Sequence, residues 1–190
     1  MEYLLQCFLI VLPILITGIF FIFSIKRRYF SFLQKPVDLE ATFRGRRIFG
    51  DNKMLRGFII MPVGTFLSVL IIGHLITRIG VSVDNLIFDY TFAGSYKALL
   101  YGLAYSAGEL PNSFIKRQLG IAPGMRANSK HVRDLFDFFD KADSLLFCSV
   151  TLLLIYKISP IYVIGSFIIG LFFHFLTDFV MIRSGLKHKT

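Results

Sequence analysis

Long apolar runs and short charged stretches alternate along the chain. Residues 3–25 and 58–79 are apolar over the ~20 residues that a helix needs to span a bilayer. Residues 145–156 and 161–182 are separated only by Lys157-Ile158-Ser159-Pro160, which predicts two helices joined by a tight proline turn. Residues 93–110 make a fifth apolar segment, with Lys97 near its start and Gly and Ser inside, as membrane helices tolerate. The pattern predicts an all-α integral membrane protein of one domain, 1–190. Five transmembrane helices (3–25, 58–79, 93–110, 145–156 and 161–182) are joined through two polar loops, 26–57 and 111–144. The first run is longer than the apolar core of a secretory signal, roughly 7–15 residues. Its basic cluster Lys26-Arg27-Arg28 also follows it, so it is expected to be retained as a helix.

Composition supports this reading. The chain is 55% hydrophobic with mean hydropathy +0.66, and the apolar residues are bunched. Cys7 and Cys148 both fall inside apolar runs and are expected to be buried small hydrophobes, without disulfide or zinc spacing.

Charge adds direction. The net charge is +9, and 18 of the 21 Lys and Arg lie in 26–57, 111–144 or the tail. The other loops hold only Arg78, Lys97 and Lys157. Basic residues stay cytoplasmic during insertion. The expected topology has both polar loops and the C-terminus in the cytoplasm and the N-terminus outside, in a plasma (inner) membrane. The basic excess also suits anionic lipid headgroups, at ~1 kcal/mol per residue near the surface. Nucleic acid is not an expected partner, because no stacking platform accompanies the cations.

Candidate chemistry lies at the cytoplasmic side. Gly45, Gly50 and Gly57 punctuate residues 31–57 among Arg and Lys, a composition that can cradle phosphates or can simply be a solvated, positive-inside loop. No Gly-x-x-x-x-Gly-Lys-Ser/Thr loop is present. Arg56-Gly57 opens the second helix, where the helix N-terminus adds partial positive charge. His74, alone in an apolar helix, reads as a packing residue. Asp84 and Asp89 in the outer loop have no basic neighbour in sequence and read as exposed.

The small residues Gly102, Ala104, Ser106, Ala107 and Gly108 allow close packing in the third helix and permit a homodimer. Glu109 falls near the cytoplasmic end, where an ionisable group is a functional candidate. Pro111 is expected to kink the helix. Ser113, Lys116 and Arg117 share one face, which suits a phosphate; snorkelling at a helix end is the plainer alternative. Asp134, Asp137, Asp140 and Asp143 recur every third residue. Paired carboxylates suit Mg²⁺, and Asp140 with Asp143 is the best-placed pair. The alternative is an exposed acidic helix neutralised by Arg133 and Lys141. His174 and Asp178 stand four apart in the last helix, as a structural pair, a proton relay or a headgroup contact.

Several of these stretches together resemble a known family. Thr42-Phe43-Arg44-Gly45-Arg46-Arg47-Ile48-Phe49-Gly50-Asp51-Asn52-Lys53, with Arg56-Gly57, is similar to the first cytoplasmic signature of the CDP-archaeol synthases. Ser113-Phe114-Ile115-Lys116-Arg117-Gln118-Leu119-Gly120-Ile121, with Pro123-Gly124, resembles their second. Asp140-Lys141-Ala142-Asp143-Ser144 is similar to an Asp-x-x-Asp element shared with bacterial CDP-diacylglycerol synthases. His174 and Gly185-Leu186-Lys187 resemble the last helix and tail of the family.

The resemblance implies a phospholipid-biosynthetic membrane transferase that moves CMP from CTP to a lipid phosphate, releasing pyrophosphate. The lipid would be an archaeal ether lipid phosphate or phosphatidic acid. By the same resemblance Asp140 and Asp143 would bind Mg²⁺, with Glu109 and Asp137 as further metal candidates. Ser113, Lys116 and Arg117 would hold phosphates. Lys53, Arg56 and Asp51 would complete the nucleotide or headgroup site, with Arg44, Arg46, Arg47 and Asn112 in the binding set. Glu109 stands where the relatives carry Asp, and the stretch from Gln118 to Phe139 is longer than the family pattern.

Two other classes compete. CDP-alcohol phosphotransferases need Gly after their second Asp, where this chain has Ser144-Leu145. A non-enzymatic small transporter or assembly protein would be expected to place polar groups near the midplane.

Overall fold

The computed structural model describes residues 2–125 and 127–183, without the side chains of Asp178, Val180, Met181 and Ile182. Arg126, the Asp178 carboxylate and Gly185-Leu186-Lys187 therefore lie outside the described residues, and with them the His174–Asp178 pairing. Five long helices follow in order: α1 (Glu2–Lys26), α2 (Leu55–Arg78), α3 (Phe92–Gln118), α4 (Lys130–Leu154) and α5 (Pro160–Arg183). α1, α2 and the stretch Pro160–Thr177 are long and apolar enough to cross a membrane. α3 and α4 are each half polar, which keeps them from meeting that measure over their whole length.

The helices close into a ring. α1 packs on α2 and α5, α3 on α2 and α4, and α4 on α5. At one end the Tyr3 hydroxyl donates to the Ile161 carbonyl at 2.7 Å and the Ile87 amide to Gln6 Oε1 at 3.1 Å. The start of α1, the α2–α3 connection and the α4–α5 turn therefore share that end. The two charged loops share the other.

An aromatic core fills the first end. Phe88 is fully buried and stacks on Tyr156 with ring centroids 4.6 Å apart, with Tyr90 and Tyr101 against it. Pro13 has no amide to give the Leu9 carbonyl one turn earlier. The Tyr90 hydroxyl donates to that carbonyl instead, at 2.5 Å. Asp89, expected to be exposed and unpaired, meets Lys97 at 2.7 Å and accepts from the Thr91 amide and hydroxyl. Lys97 is eight residues away in sequence, and the turn into α3 brings it back. His74 accepts from Arg78 Nε one turn on, at 3.3 Å. Cys7 and Cys148 are buried and free, as expected.

Two expectations of the sequence are corrected. The segment 111–144 is mostly helix, because α3 runs on through Pro111 to Gln118 and α4 starts at Lys130. Pro111 is exposed, so no packed neighbour is lost where its missing amide breaks the ladder. The helix expected at 145–156 is the apolar half of α4, and nothing between Lys130 and Leu154 can stop a helix. Within the first loop, as a feature the sequence reading did not address, β1 (Thr42–Phe43) and β2 (Arg46–Arg47) form a small hairpin. Its two-residue turn has φ of 52° at Arg44 and 76° at Gly45, the paired left-handed geometry that matches strand twist.

α3 is held by close backbone approaches. A Cβ on Gly102 would lie 2.4 Å from the Met61 carbonyl oxygen, and one on Gly108 2.7 Å from that of Asp143. The small residues that permit a homodimer on sequence grounds are thus used at these two positions within the chain. Gly108→Ala is expected to force α3 and α4 apart and to destabilise the protein by about 1–3 kcal/mol. A lowered midpoint of thermal unfolding in detergent is the result to look for.

Candidate active site

The last turns of α3 project Glu109, Asn112, Ser113, Lys116 and Arg117 at the spacings that share one helix face. α4 runs past this face and presents its acidic half. The Asn112 amide donates to Asp140 Oδ1 at 2.7 Å and to Asp143 Oδ2 at 3.4 Å. Lys116 Nζ reaches both oxygens of Asp140 at 2.6 Å and lies 5.2 Å from the Phe136 ring centroid. The Ser144 hydroxyl lies 3.4 Å from Asp143 Oδ1 and 3.5 Å from Glu109 Oε1.

A step of three residues turns a helix face by roughly 60°. The four aspartates therefore cannot face alike, and their exposure differs, with the Asp140 side chain 51% exposed. Asp134 is exposed, Asp137 half-buried one turn before Asp140, and Asp143 only 8% exposed. Lys141 lies 4.1 Å from the Phe175 ring centroid on α5, and Lys116 pairs with Asp140.

Burial, and next the Glu109 carboxylate, push Asp143 up to about 6, against the pull of the Ser144 amide and Lys53. Arg117 is 9% exposed and its Nε has no partner among the described residues. Burial lowers its pKa from the ordinary guanidinium value. A carboxylate reluctant to ionise suits a cation, and a buried guanidinium with an unused donor suits an anion.

The first loop docks on the end of α3. Arg46 Nη1 donates to the Gln118 carbonyl, Gln118 Nε2 to the Arg47 carbonyl at 3.5 Å, and Phe43 meets Phe114 at 5.9 Å between centroids. Gly50 has φ 86°, and a Cβ there would lie 2.8 Å from the Pro123 ring and 3.3 Å from Arg117 Nη1. Only glycine accepts both demands at once. Lys53 forms an ion pair with Glu109, which joins the loop to α3.

One organising residue is not among those the sequence singled out. The Asp38 side chain is fully buried, and Oδ2 accepts from the amides of Phe49 at 2.9 Å and Gly50 at 3.0 Å. Its Oδ1 accepts from Arg47 Nη2 at 2.7 Å and from the Glu40 amide at 3.2 Å. Burial works against its ionisation. The Arg47 guanidinium and the amides of Gly50, Phe49 and Glu40 outweigh burial and hold the carboxyl well below the usual range. Leu39 and Glu40 sit at φ of 46° and 69°, left-handed conformations that such a clamp can hold in place. The available signal was a pair of acids, Asp38 and Glu40, between Lys35 and a run of arginines.

Arg47, expected in the binding set, is engaged by Asp38 and by Asp51 at 3.0 Å. It frames the loop, and Asp51 is exposed beside it. Arg44 lies at the hairpin tip, 5.3 Å from the Phe43 ring centroid, and is not brought to the carboxylates. Ser113 is buried next to Asn112.

Among the described residues, no three His, Cys, Asp or Glu side chains gather as a ready-made metal cage. Mg²⁺ asks for less, usually one or two carboxylates with waters and substrate phosphates. Asp140 and Asp143, drawn toward the same Asn112 amide, fit that demand.

The geometry agrees with the comparisons. A family model described as CarS-like CDP-archaeol synthase matches residues 3–190. The chain belongs to the CDP-archaeol synthase family. A CDP-archaeol synthase of Pyrobaculum islandicum is 30% identical over 83% of this chain and 82% of that protein. One from Sulfurisphaera tokodaii is 31% identical over 80% of this chain and 79% of its own length. One from Pyrococcus furiosus is 40% identical over 48% of this chain, and that match spans 50% of the relative. No solved structure matches the chain significantly. Glu109 engages Lys53 and lies near the Ser144 hydroxyl.

Proposed function

We propose that the protein is a membrane cytidylyltransferase that transfers CMP from CTP to an ether lipid phosphate, with Mg²⁺ as cofactor, giving CDP-lipid and pyrophosphate. Membership of the family, with relatives that are CDP-archaeol synthases, supports the reaction and favours archaeol phosphate over phosphatidic acid. The observation that carries the reading is the meeting of Asp140, Asp143 and Asn112 with Lys116 at the charged end of the bundle.

In this reading an oxygen of the lipid phosphate forms a bond to the α-phosphorus of CTP. The bond from that phosphorus to the oxygen leading to the β-phosphate breaks, and pyrophosphate leaves. Transfer of this kind needs placement and charge neutralisation more than covalent help. Bound Mg²⁺ would supply neutralisation of the phosphate oxygens. Asp140 and Asp143 would hold it, with Asn112 fixing their carboxylates. Lys116, Arg117 and Ser113 bind the triphosphate, and the unpartnered Arg117 Nε gains an acceptor. The Asp38–Arg47 clamp sets the loop against Arg117, and Lys53 ties it to Glu109.

The topology proposed with it has five spans, both polar loops in the cytoplasm and the N-terminus outside. A reporter fused after Thr190 is expected to read cytoplasmic; an external signal sinks the sidedness. The reaction is tested with purified protein, labelled CTP, Mg²⁺ and a panel of ether and ester lipid phosphates. Mg²⁺-dependent CDP-lipid, formed faster from the ether lipid, is expected. A protein that labels no lipid phosphate overturns the proposal.

A further inference from the structure

A second recess lies on the other side of Glu109 from the aspartates. α1, α2, α3 and the end of the first loop enclose a cavity of about 280 Å³. Lys53, Arg56 and Glu109 line it together with apolar side chains that include Phe21, Phe58 and Met61. It is polar in one part and greasy in another.

Arg56 is the unusual member. It is 5% exposed, its guanidinium lies 5.9 Å from the Phe21 ring centroid, and its Nε and Nη1 are buried with no hydrogen-bond partner among the described residues. Burying donors without acceptors is costly, more so for a cation. Arg56 also stands in the first turn of α2, where the helix already carries partial positive charge. Glu109, the carboxylate that lines the recess, is paired with Lys53, and among the described residues no ion pair joins Arg56 to a carboxylate. The recess therefore calls for an anion. Its apolar members, among them Phe21, Phe58 and Met61, suit an anion attached to hydrocarbon. Pockets that enclose a whole drug-sized ligand run roughly 300–1,000 Å³, so this one takes a headgroup and leaves long chains outside.

We infer that the recess is the acceptor subsite, in which Arg56 binds the phosphate monoester of the lipid while the nucleotide occupies the Lys116, Arg117, Asp140 and Asp143 side. The inference rests on the proposed transfer. Glu109 lines the recess and lies 3.5 Å from the hydroxyl of Ser144, the residue after Asp143. The acceptor oxygen then approaches the metal carboxylates from the Glu109 side.

The test compares the full-length protein with Arg56→Met and Arg56→Lys in detergent. Binding is read by calorimetry, without turnover, for a short-chain dialkyl ether glycerol phosphate, dioctanoyl phosphatidic acid, inorganic phosphate and Mg²⁺–CTP. Affinity of Arg56→Met for the preferred lipid phosphate is expected to fall about tenfold or more, with part regained in Arg56→Lys and Mg²⁺–CTP affinity nearly unchanged. Inorganic phosphate is expected to bind the parent much more weakly than the lipid. Because the parent buries an unpaired cation, unliganded Arg56→Met is expected to melt no lower than the parent, and lipid phosphate to raise only the parent's Tm.

Loss of Mg²⁺–CTP affinity with lipid affinity intact would place Arg56 in the nucleotide site. Equal binding of inorganic phosphate would make the recess a plain anion site. A lowered Tm with all affinities unchanged would make Arg56 structural, and a parent that binds neither lipid phosphate would remove the subsite. A parent that binds lipid phosphate through Arg56 and forms no CDP-lipid overturns the transfer reaction and leaves the recess standing.

Discussion

Asp143→Asn is expected to reduce kcat/KM for CDP-lipid formation by about 10²–10³-fold while leaving the protein as stable as before or more so. The two halves of that result have one cause. Asp143 is buried beside Glu109, so its negative charge is unfavourable in the absence of a cation, and its pKa is pushed up to about 6. Replacing the carboxylate by an amide of the same shape removes that unfavourable charge at neutral pH. It also removes an oxygen that a divalent ion would use. Steady-state kinetics across Mg²⁺ concentrations, together with thermal unfolding, read both halves. A variant that turns over at the parent's rate takes Asp143 out of the metal site.

Asp38→Ala is expected to act from a distance. It strips the acceptor from Arg47 and from the amides of Phe49, Gly50 and Glu40. Losing the buried partner of a charged hydrogen bond costs about 3 kcal/mol locally, enough to unlock the loop. Turnover should fall about tenfold or more, since placement errors of about 1 Å are amplified in catalysis. The bundle should keep its helical circular dichroism, and limited proteolysis between residues 30 and 54 should quicken. The pH dependence has a definite sign. Asp38 has a depressed pKa in the folded protein, so its contribution is complete above the ordinary carboxylate value of about 4. It is lost as pH falls through the lower folded value. Parent protein should therefore loosen progressively as pH falls below ~4 and reach the variant's state only beneath the depressed folded value, and Asp38→Ala should lack that acid step.

The long helices were legible because a bilayer demands unbroken apolar length, and α1, α2 and α5 supply it. The ends of α3 and α4 were not. A helix that leaves the membrane changes its composition without changing its backbone, so a polar stretch such as 130–144 reads as loop when only hydropathy is followed. The site was half legible. Lys116 and the Asp140/Asp143 pair announce themselves by spacing, and the structure joins them through Asn112. Asp38 does not, because its partners are backbone amides 11 and 12 residues further along, which no side-chain pattern encodes. The pairing of Arg47 with Asp38 was hidden for the same reason, since a guanidinium paired with a buried acid looks in sequence like an unpaired one. Asp89 found Lys97 only because the chain reverses between them.

The glycine contacts of α3 carry a further consequence for how the protein comes apart. At Gly102 and Gly108 carbonyl meets α-carbon across the seams to α2 and α4, whereas the glycines of α5 face the side chains of Tyr3, Cys7 and Leu145. Side chains can yield by changing rotamer, and backbone cannot. Amide hydrogen exchange should therefore be slowest along α2, α3 and α4 and quicker in α5, so that lipid stripping peels the outer wall before it disturbs the carboxylates.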